Sequence, residues 1–234
     1  AMSPMMLLDL TFDGQPRHVL AQPNKNGFMY VLDAGTGELL KADPFTEVNW
    51  ATGVDMTTGR PIEVPAARYD RDNIYNLAPG VQGGHGWHAN AFNPSTGLVY
   101  IAAQRAYFAM QSAATFTPNP LGTNLAIDMG ANFIYYRDNP DAPREFVGYV
   151  SAWDPVAGKE VWRSEELNGP TGGVLATAGR LVFSGGGNNN NQFRAFDAVT
   201  GAKVWEFDTQ TGMVAAPISY ELDGKQYIAA SVGI

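Results

Sequence analysis

The chain has 234 residues, 45% of them hydrophobic and 12% aromatic, which is enough apolar surface for a sizeable core and too much for wholesale disorder. Its 15 basic against 23 acidic residues leave a net charge of −8, which argues against a nucleic-acid or anionic-membrane surface, since both need clustered Lys and Arg. The absence of Cys excludes disulfides, thiolate zinc sites, iron–sulfur clusters and covalently attached c-type haem from this polypeptide, and no apolar run approaches the roughly 18 residues of a membrane span.

In chain order, Ala1–Leu8 lacks the basic start and long apolar stretch of a signal peptide and has the character of a strand beginning. Phe28–Leu32, Leu98–Ile101, Arg180–Phe183 and Gln226–Ala229 are short alternating or β-branched runs, separated by Gly, Asn, Asp and Pro. From about Gln104 to Phe146 the sequence is Met, Ala, Asn, Pro and aromatics without alternation, a long irregular insertion of the kind that is usually functional or a linker. Tyr227–Ile234 is again strand-like, so both ends lie in strand-type sequence and a piece of something larger is expected. Helical periodicity is hard to find, and the 26 Gly and 15 Pro suit turns better than helices. The chain is expected to be all-β.

An internal repeat sharpens this. Ala152-Trp153-Asp154-Pro155-Val156-Ala157-Gly158-Lys159-Glu160-Val161-Trp162 is matched by Ala195-Phe196-Asp197-Ala198-Val199-Thr200-Gly201-Ala202-Lys203-Val204-Trp205, with Asp, Gly and Trp all displaced by 43 residues. A period of ~40–50 residues carrying several short strands is the signature of a β-propeller blade. Weaker echoes lie at Asp33…Gly37, Asp55…Gly59 and Asn93…Gly97. The Asp or Asn side chain can fold back onto backbone amides, and Gly supplies the positive φ that ends the turn. The Trp that follows can bury its ring between neighbouring blades while its N–H finds an acceptor. The expected fold is therefore a partial propeller of about four to five blades.

Standard catalytic motifs are missing. No P-loop, His-Glu-x-x-His or Gly-x-Ser-x-Gly occurs. His18, His85 and His88 are the only histidines, and the spacing of His85 and His88 across Gly86-Trp87 suits loop packing better than a metal. Most carboxylates fall in turn motifs, and Asn188–Asn191 after a Gly run suits a hairpin tip. Three segments carry functional readings beside bland ones. Lys25 in Pro23–Gly27 is either a solvated turn charge or a cation aimed at an anionic cofactor. Gly83–Asn90 sets aromatic surface on a permissive backbone, suited to a flat ligand or to plain packing. Gly172–Thr177 offers something similar at a strand start.

At these residues the chain resembles the pyrroloquinoline quinone (PQQ)-dependent alcohol dehydrogenases, especially the quinohaemoprotein type. The likeness runs through Lys25–Asp33, Asn49–Asp55, Trp87–Tyr100, Gly172–Gly179 and Thr211–Pro217. The Ala-x-Asp-x-x-x-Gly-x-x-x-Trp segments look like the tryptophan-docking motifs of that family's eight-bladed propeller. The resemblance implies that Lys25 occupies the position of the basic residue contacting the quinone oxygens, and Trp87 that of the Trp in an Asn-Trp pair beside the cofactor. Here Gly86 replaces the Asn of that pair, and around Pro170-Thr171-Gly172 a Trp-containing segment common in the family is missing.

It further implies a catalytic Asp just upstream of the segment resembling Ser3–Leu7, calcium-ligating Glu and Asn earlier still, and a cytochrome domain after Ile234. The expected function is then part of an enzyme oxidising alcohols to aldehydes by hydride transfer to PQQ, with calcium bound upstream, a c-type cytochrome as electron acceptor and a periplasmic location. The isolated chain, lacking the Asp and the calcium ligands, is expected to be inactive by itself. Its open edges are expected to pair with the missing N-terminal half or with a second copy. The alternative is a non-catalytic propeller scaffold for protein–protein interaction.

Overall fold

The computed structural model describes residues 3–118, 126–187 and 190–233. Asn188 and Asn189 of the expected hairpin tip lie outside them. The first sheet comprises β1 (Met6–Phe12), β2 (Gln15–Pro23), β3 (Phe28–Asp33) and β4 (Leu39–Pro44), paired antiparallel in that order. Then come two short ribbons, in which β5 (Ala51–Val54) pairs with β6 (Pro61–Glu63) and β7 (Tyr75–Leu77) pairs with a later strand. The second large sheet begins with β8 (Ala91–Asn93) and β9 (Leu98–Ala106). Before it is completed the chain makes β10 (Phe108–Met110), the partner of β7, and a helix, α1 (Met129–Asp138). Strands β11 (Phe146–Asp154) and β12 (Lys159–Arg163) then complete the order β8-β9-β11-β12, with β13 (Leu167–Asn168) beside β11. A third sheet holds β14 (Thr171–Ala176), β15 (Leu181–Gly186), β16 (Gln192–Asp197) and β17 (Lys203–Asp208) in sequential order. The hairpin of β18 (Ile218–Leu222) and β19 (Lys225–Ala229) follows. This is the blade pattern of a partial β-propeller: three four-stranded antiparallel sheets and two strands of another.

Sheets stack face to face, and β9 shows why its sequence is apolar almost without break. Successive side chains point to opposite faces of a strand. Val99, Ile101 and Ala103 pack with Leu8, Leu10, Val19, Ala21, Met29 and Val31 of the first sheet. Leu98, Tyr100 and Ala102 face Val174, Val182 and Phe196 of the third. A middle blade buries both faces and so cannot alternate polar with apolar.

The Asp/Asn-x-x-x-Gly turns behave as their chemistry dictates. In all five, at Asp33, Asp55, Asn93, Asp154 and Asp197, the side-chain oxygen accepts from a backbone amide two residues on. The amide of the closing Gly donates to the backbone carbonyl of the Asp or Asn. Those glycines have φ between 69° and 77°, the left-handed region that a Cβ disfavours. Arg17, 2.9 Å from Asp33, and the turn amides pull that carboxyl down to about 2.

The repeat also explains how one blade holds the next. Trp162, at the second sheet's outer strand, is buried and lies over Gly201 of the third sheet, where a Cβ would stand 2.6 Å from the indole. Its Nε1 donates to the Ala198 carbonyl at 2.9 Å, and the Tyr100 hydroxyl donates to the same oxygen at 2.9 Å. Trp205 occupies the matching position one blade on but is 45% exposed, with only Phe193 and Phe207 rings against it. Trp205→Ala should therefore lower the unfolding free energy of this chain by about 1 kcal/mol or less, the scale of an aromatic pair without full burial. A denaturant titration showing a loss as large as that of a buried Trp would refute this.

The stretch between Gln104 and Phe146 contains a helix that its composition did not announce. Asp128 caps α1, its carboxylate accepting from the Gly130 amide, but only Ala131 is buried while Met129, Phe133 and Ile134 are exposed. Apolar residues spread around the helix leave no one-sided period to read.

Candidate functional site

The three segments singled out in the sequence form one continuous wall. Lys25 sits in the turn between β2 and β3, closed by Gly27 at φ 99°. The Gly84 amide donates to the Lys25 carbonyl at 2.9 Å, and the Lys25 stem lies across Gly83, so closely that a Cβ there would overlap it. Gly84 is equally constrained, with Thr46 and Gly27 where its Cβ would be. Two successive glycines are what allow this loop to lie against a lysine. At its other end the loop reaches the third sheet, where the Val174 amide donates to the Ala89 carbonyl at 2.9 Å. Gly173 next to it donates to Val214, and a Cβ on Gly172 would strike the Met213 carbonyl. Lys25, Gly83–Asn90, Gly172–Val174 and Met213–Val214 are thus linked in sequence by these contacts, from the first sheet to the third.

Trp87 is the exposed member, 57% accessible, and stacks on His88 with ring centroids 4.6 Å apart and planes 23° from parallel. One face of the indole is backed and the other is open. Gly86 beside it has room for a side chain, the His88 ring being the nearest neighbour at 3.4 Å from a Cβ. Lys25 is half-buried, its stem packed.

Sequence reading missed the groups that hold the loop. Gln104 in β9 donates through Nε2 to the Gln82 and Gly83 carbonyls at 3.1 and 2.9 Å, and its amide donates to Gly84. His85 is fully buried, with Nδ1 2.8 Å from the Ala102 carbonyl and Nε2 3.1 Å from the Asn90 amide nitrogen. Burial pushes its pKa down from the usual 6.5 to about 4, and His88 shifts the same way for the same reason. The packing reading of these histidines stands, in a form more constrained than loop filler. The sequence carries no signal for Gln104 and His85 in this role, because their burial and their partners exist only in the fold. Among the described residues, no three or more His, Cys, Asp or Glu gather as a metal-binding group.

The arrangement offers a half-buried cation against one end of a Gly-rich loop and an exposed indole, backed by His88, further along it. It suits a planar, anionic aromatic ligand: the ammonium can meet carboxylate or quinone oxygens, and the open indole face can meet a ring.

The chain is similar to known proteins over nearly its whole length. Residues 163–228 match the family model described as the PQQ glucose/ethanol/alcohol dehydrogenase β-propeller domain. The dehydrogenase subunit of a quinone alcohol dehydrogenase from Gluconacetobacter polyoxogenes is 42% identical over 98% of this chain and 31% of its own length. A 1-butanol dehydrogenase (cytochrome c) from Thauera butanivorans is 38% identical over 98% of this chain and 33% of its own. The crystal structure of the quinohemoprotein alcohol dehydrogenase from Comamonas testosteroni superposes with a TM-score of 0.85 at 38% identity, covering 98% of this chain and 34% of that one. The chain spans about a third of the length of these relatives. Over nearly all of its own length the chain is similar to quinone- and cytochrome c-linked alcohol dehydrogenases, and over residues 163–228 to the PQQ β-propeller domain.

Proposed function

We propose that this chain forms part of the cofactor wall of an alcohol dehydrogenase that binds PQQ and oxidises alcohols to aldehydes. The observation that carries this is the packing of Lys25 across Gly83, which ties the cation to the loop that carries Trp87. Lys25 would hold the anionic oxygens of PQQ, and Trp87 with Gly86 would border its rings. When bound, PQQ supplies a two-electron acceptor for the hydride of the alcohol. The contribution of Lys25 is electrostatic: a fixed ammonium, held by its packed stem, favours negative charge on an oxygen beside it. The buried floor of Gly83 and Gly84 keeps water away from one side of that charge.

The general base, an Asp in the family, and the calcium ligands are supplied by residues upstream of Ser3 in this reading. A c-type cytochrome is the electron acceptor and the periplasm the compartment. The Thauera relative, a 1-butanol dehydrogenase (cytochrome c), supports the first of these.

The test is a titration of PQQ into the 234-residue chain, with and without Ca²⁺, followed by tryptophan fluorescence. Saturable quenching is expected, equal in both conditions because the calcium ligands lie elsewhere. Lys25→Ala should weaken it roughly 10- to 100-fold, the value of a charge-assisted hydrogen bond. Absence of saturable binding, or an unaltered Kd in Lys25→Ala, counts against the reading. A non-catalytic scaffold would give that silent result.

A further inference from the structure

We propose that His85, as the neutral tautomer protonated on Nδ1, is the positioning residue that keeps the open face of Trp87 turned outward. The proposal deepens the cofactor-wall reading and, for its ligand-binding arm, rests on it.

A backbone carbonyl only accepts, so the 2.8 Å contact between Nδ1 and Ala102 fixes the proton on Nδ1. Nε2 is then a lone pair, and the Asn90 amide nitrogen 3.1 Å away donates to it. One ring therefore ties both β9 and the far end of the loop to a single point. The orientation this gives Asn90 leaves its Oδ1 buried without a hydrogen-bond partner among the described residues, a desolvation penalty carried by the arrangement.

The main chain does not do this work by itself. Gly84 is fastened to Lys25 and Gln104, and Ala89 to Val174. Between them Gly86, Trp87 and His88 make no main-chain-to-main-chain hydrogen bond among the described residues. With Gly86 as a neighbour, an unfastened Trp87 has wide backbone freedom and an apolar ring that gains by folding inward. What stands against that is His88 stacked behind the indole and His85, its ring centroid 6.4 Å from that of His88, anchored beneath.

The experiment compares His85→Leu, which removes donor and acceptor, with His85→Gln, whose amide can supply both. Hydrogen–deuterium exchange at the Gly84 and Val174 amides, whose bonds to the Lys25 and Ala89 carbonyls fasten the two ends of the loop, should quicken roughly tenfold in His85→Leu and stay within about threefold of the parent in His85→Gln, the effect of losing one or two buried hydrogen bonds. Exchange of the β9 interior should not change. The Trp87-specific fluorescence, obtained by difference from Trp87→Phe in each background, should shift in position and acrylamide access only for His85→Leu. PQQ affinity should fall roughly tenfold in the same variant. Exchange and fluorescence like the parent's in His85→Leu would overturn the proposal, as would a His85→Gln indistinguishable from His85→Leu. If His85→Leu does not fold, Asn90→Leu, which removes only the donor to Nε2, carries the same comparison. If the parent itself fails to bind PQQ, the cofactor reading falls while the exchange and fluorescence still decide the role of His85.

Discussion

Trp162→Ala should lower the unfolding free energy of the chain by about 3–5 kcal/mol, the range for deleting a large buried aromatic. The substitution empties the space between the second and third sheets where the indole meets Gly201, Tyr100 and Phe196. Trp162→Phe separates the two contributions of that ring. It keeps most of the apolar body and removes the Nε1 donor, but the Ala198 carbonyl retains the Tyr100 hydroxyl. Its cost should stay near 1–2 kcal/mol, a lost hydrogen bond and some lost packing. Gly201→Val should approach the Ala variant in severity, because it sets a branched side chain at φ 73° and against the indole. Urea unfolding followed by circular dichroism measures all three. A Trp162→Ala loss below about 1 kcal/mol would mean that the ring does not join the blades.

Acid should destabilise the chain through His85 before the carboxylates titrate. The folded protein holds this histidine neutral down to about pH 4, whereas an unfolded chain protonates it near 6.5. Above 6.5 neither state carries the proton and the contribution is full. Between 6.5 and 4 only the unfolded state binds it, so stability falls as pH falls, by about 3 kcal/mol over the whole window. Burial of His88 adds in the same direction. In His85→Gln that part of the slope disappears and the His88 part remains. Unfolding free energies of parent and variant between pH 4 and 7 should converge toward acid, and a constant difference would show that His85 titrates alike in both states.

The two copies of the Asp-x-x-x-Gly-x-x-x-Trp motif exposed the blade period, the turn hydrogen bonds and the docking of Trp162, because each follows from local chemistry at fixed spacing. Lys25 and Trp87 were legible as residue types in Gly-rich loops. Their adjacency was not, since Lys25 and Gly83 are brought together by the order of sheets rather than by nearness in the chain. The middle blade hid itself for a related reason: β9, buried on both faces, offers no alternation, and its neighbours had to be known first. His85 looked like an ordinary loop residue because burial, the property that sets its tautomer, belongs to the folded state alone. Helix α1 escaped because its apolar side chains are left in the open.

The carbonyl of Ala198 accepts one hydrogen bond from Tyr100 in β9 and one from Trp162 in β12 of the preceding sheet. That doubly occupied oxygen makes the third sheet's turn a rivet rather than a seam, so neighbouring sheets are thermodynamically linked pair by pair, as in a linear array with nearest-neighbour coupling. In such an array the sheet packed on both faces holds longest, leaving β9 and β11 as the last amides to open.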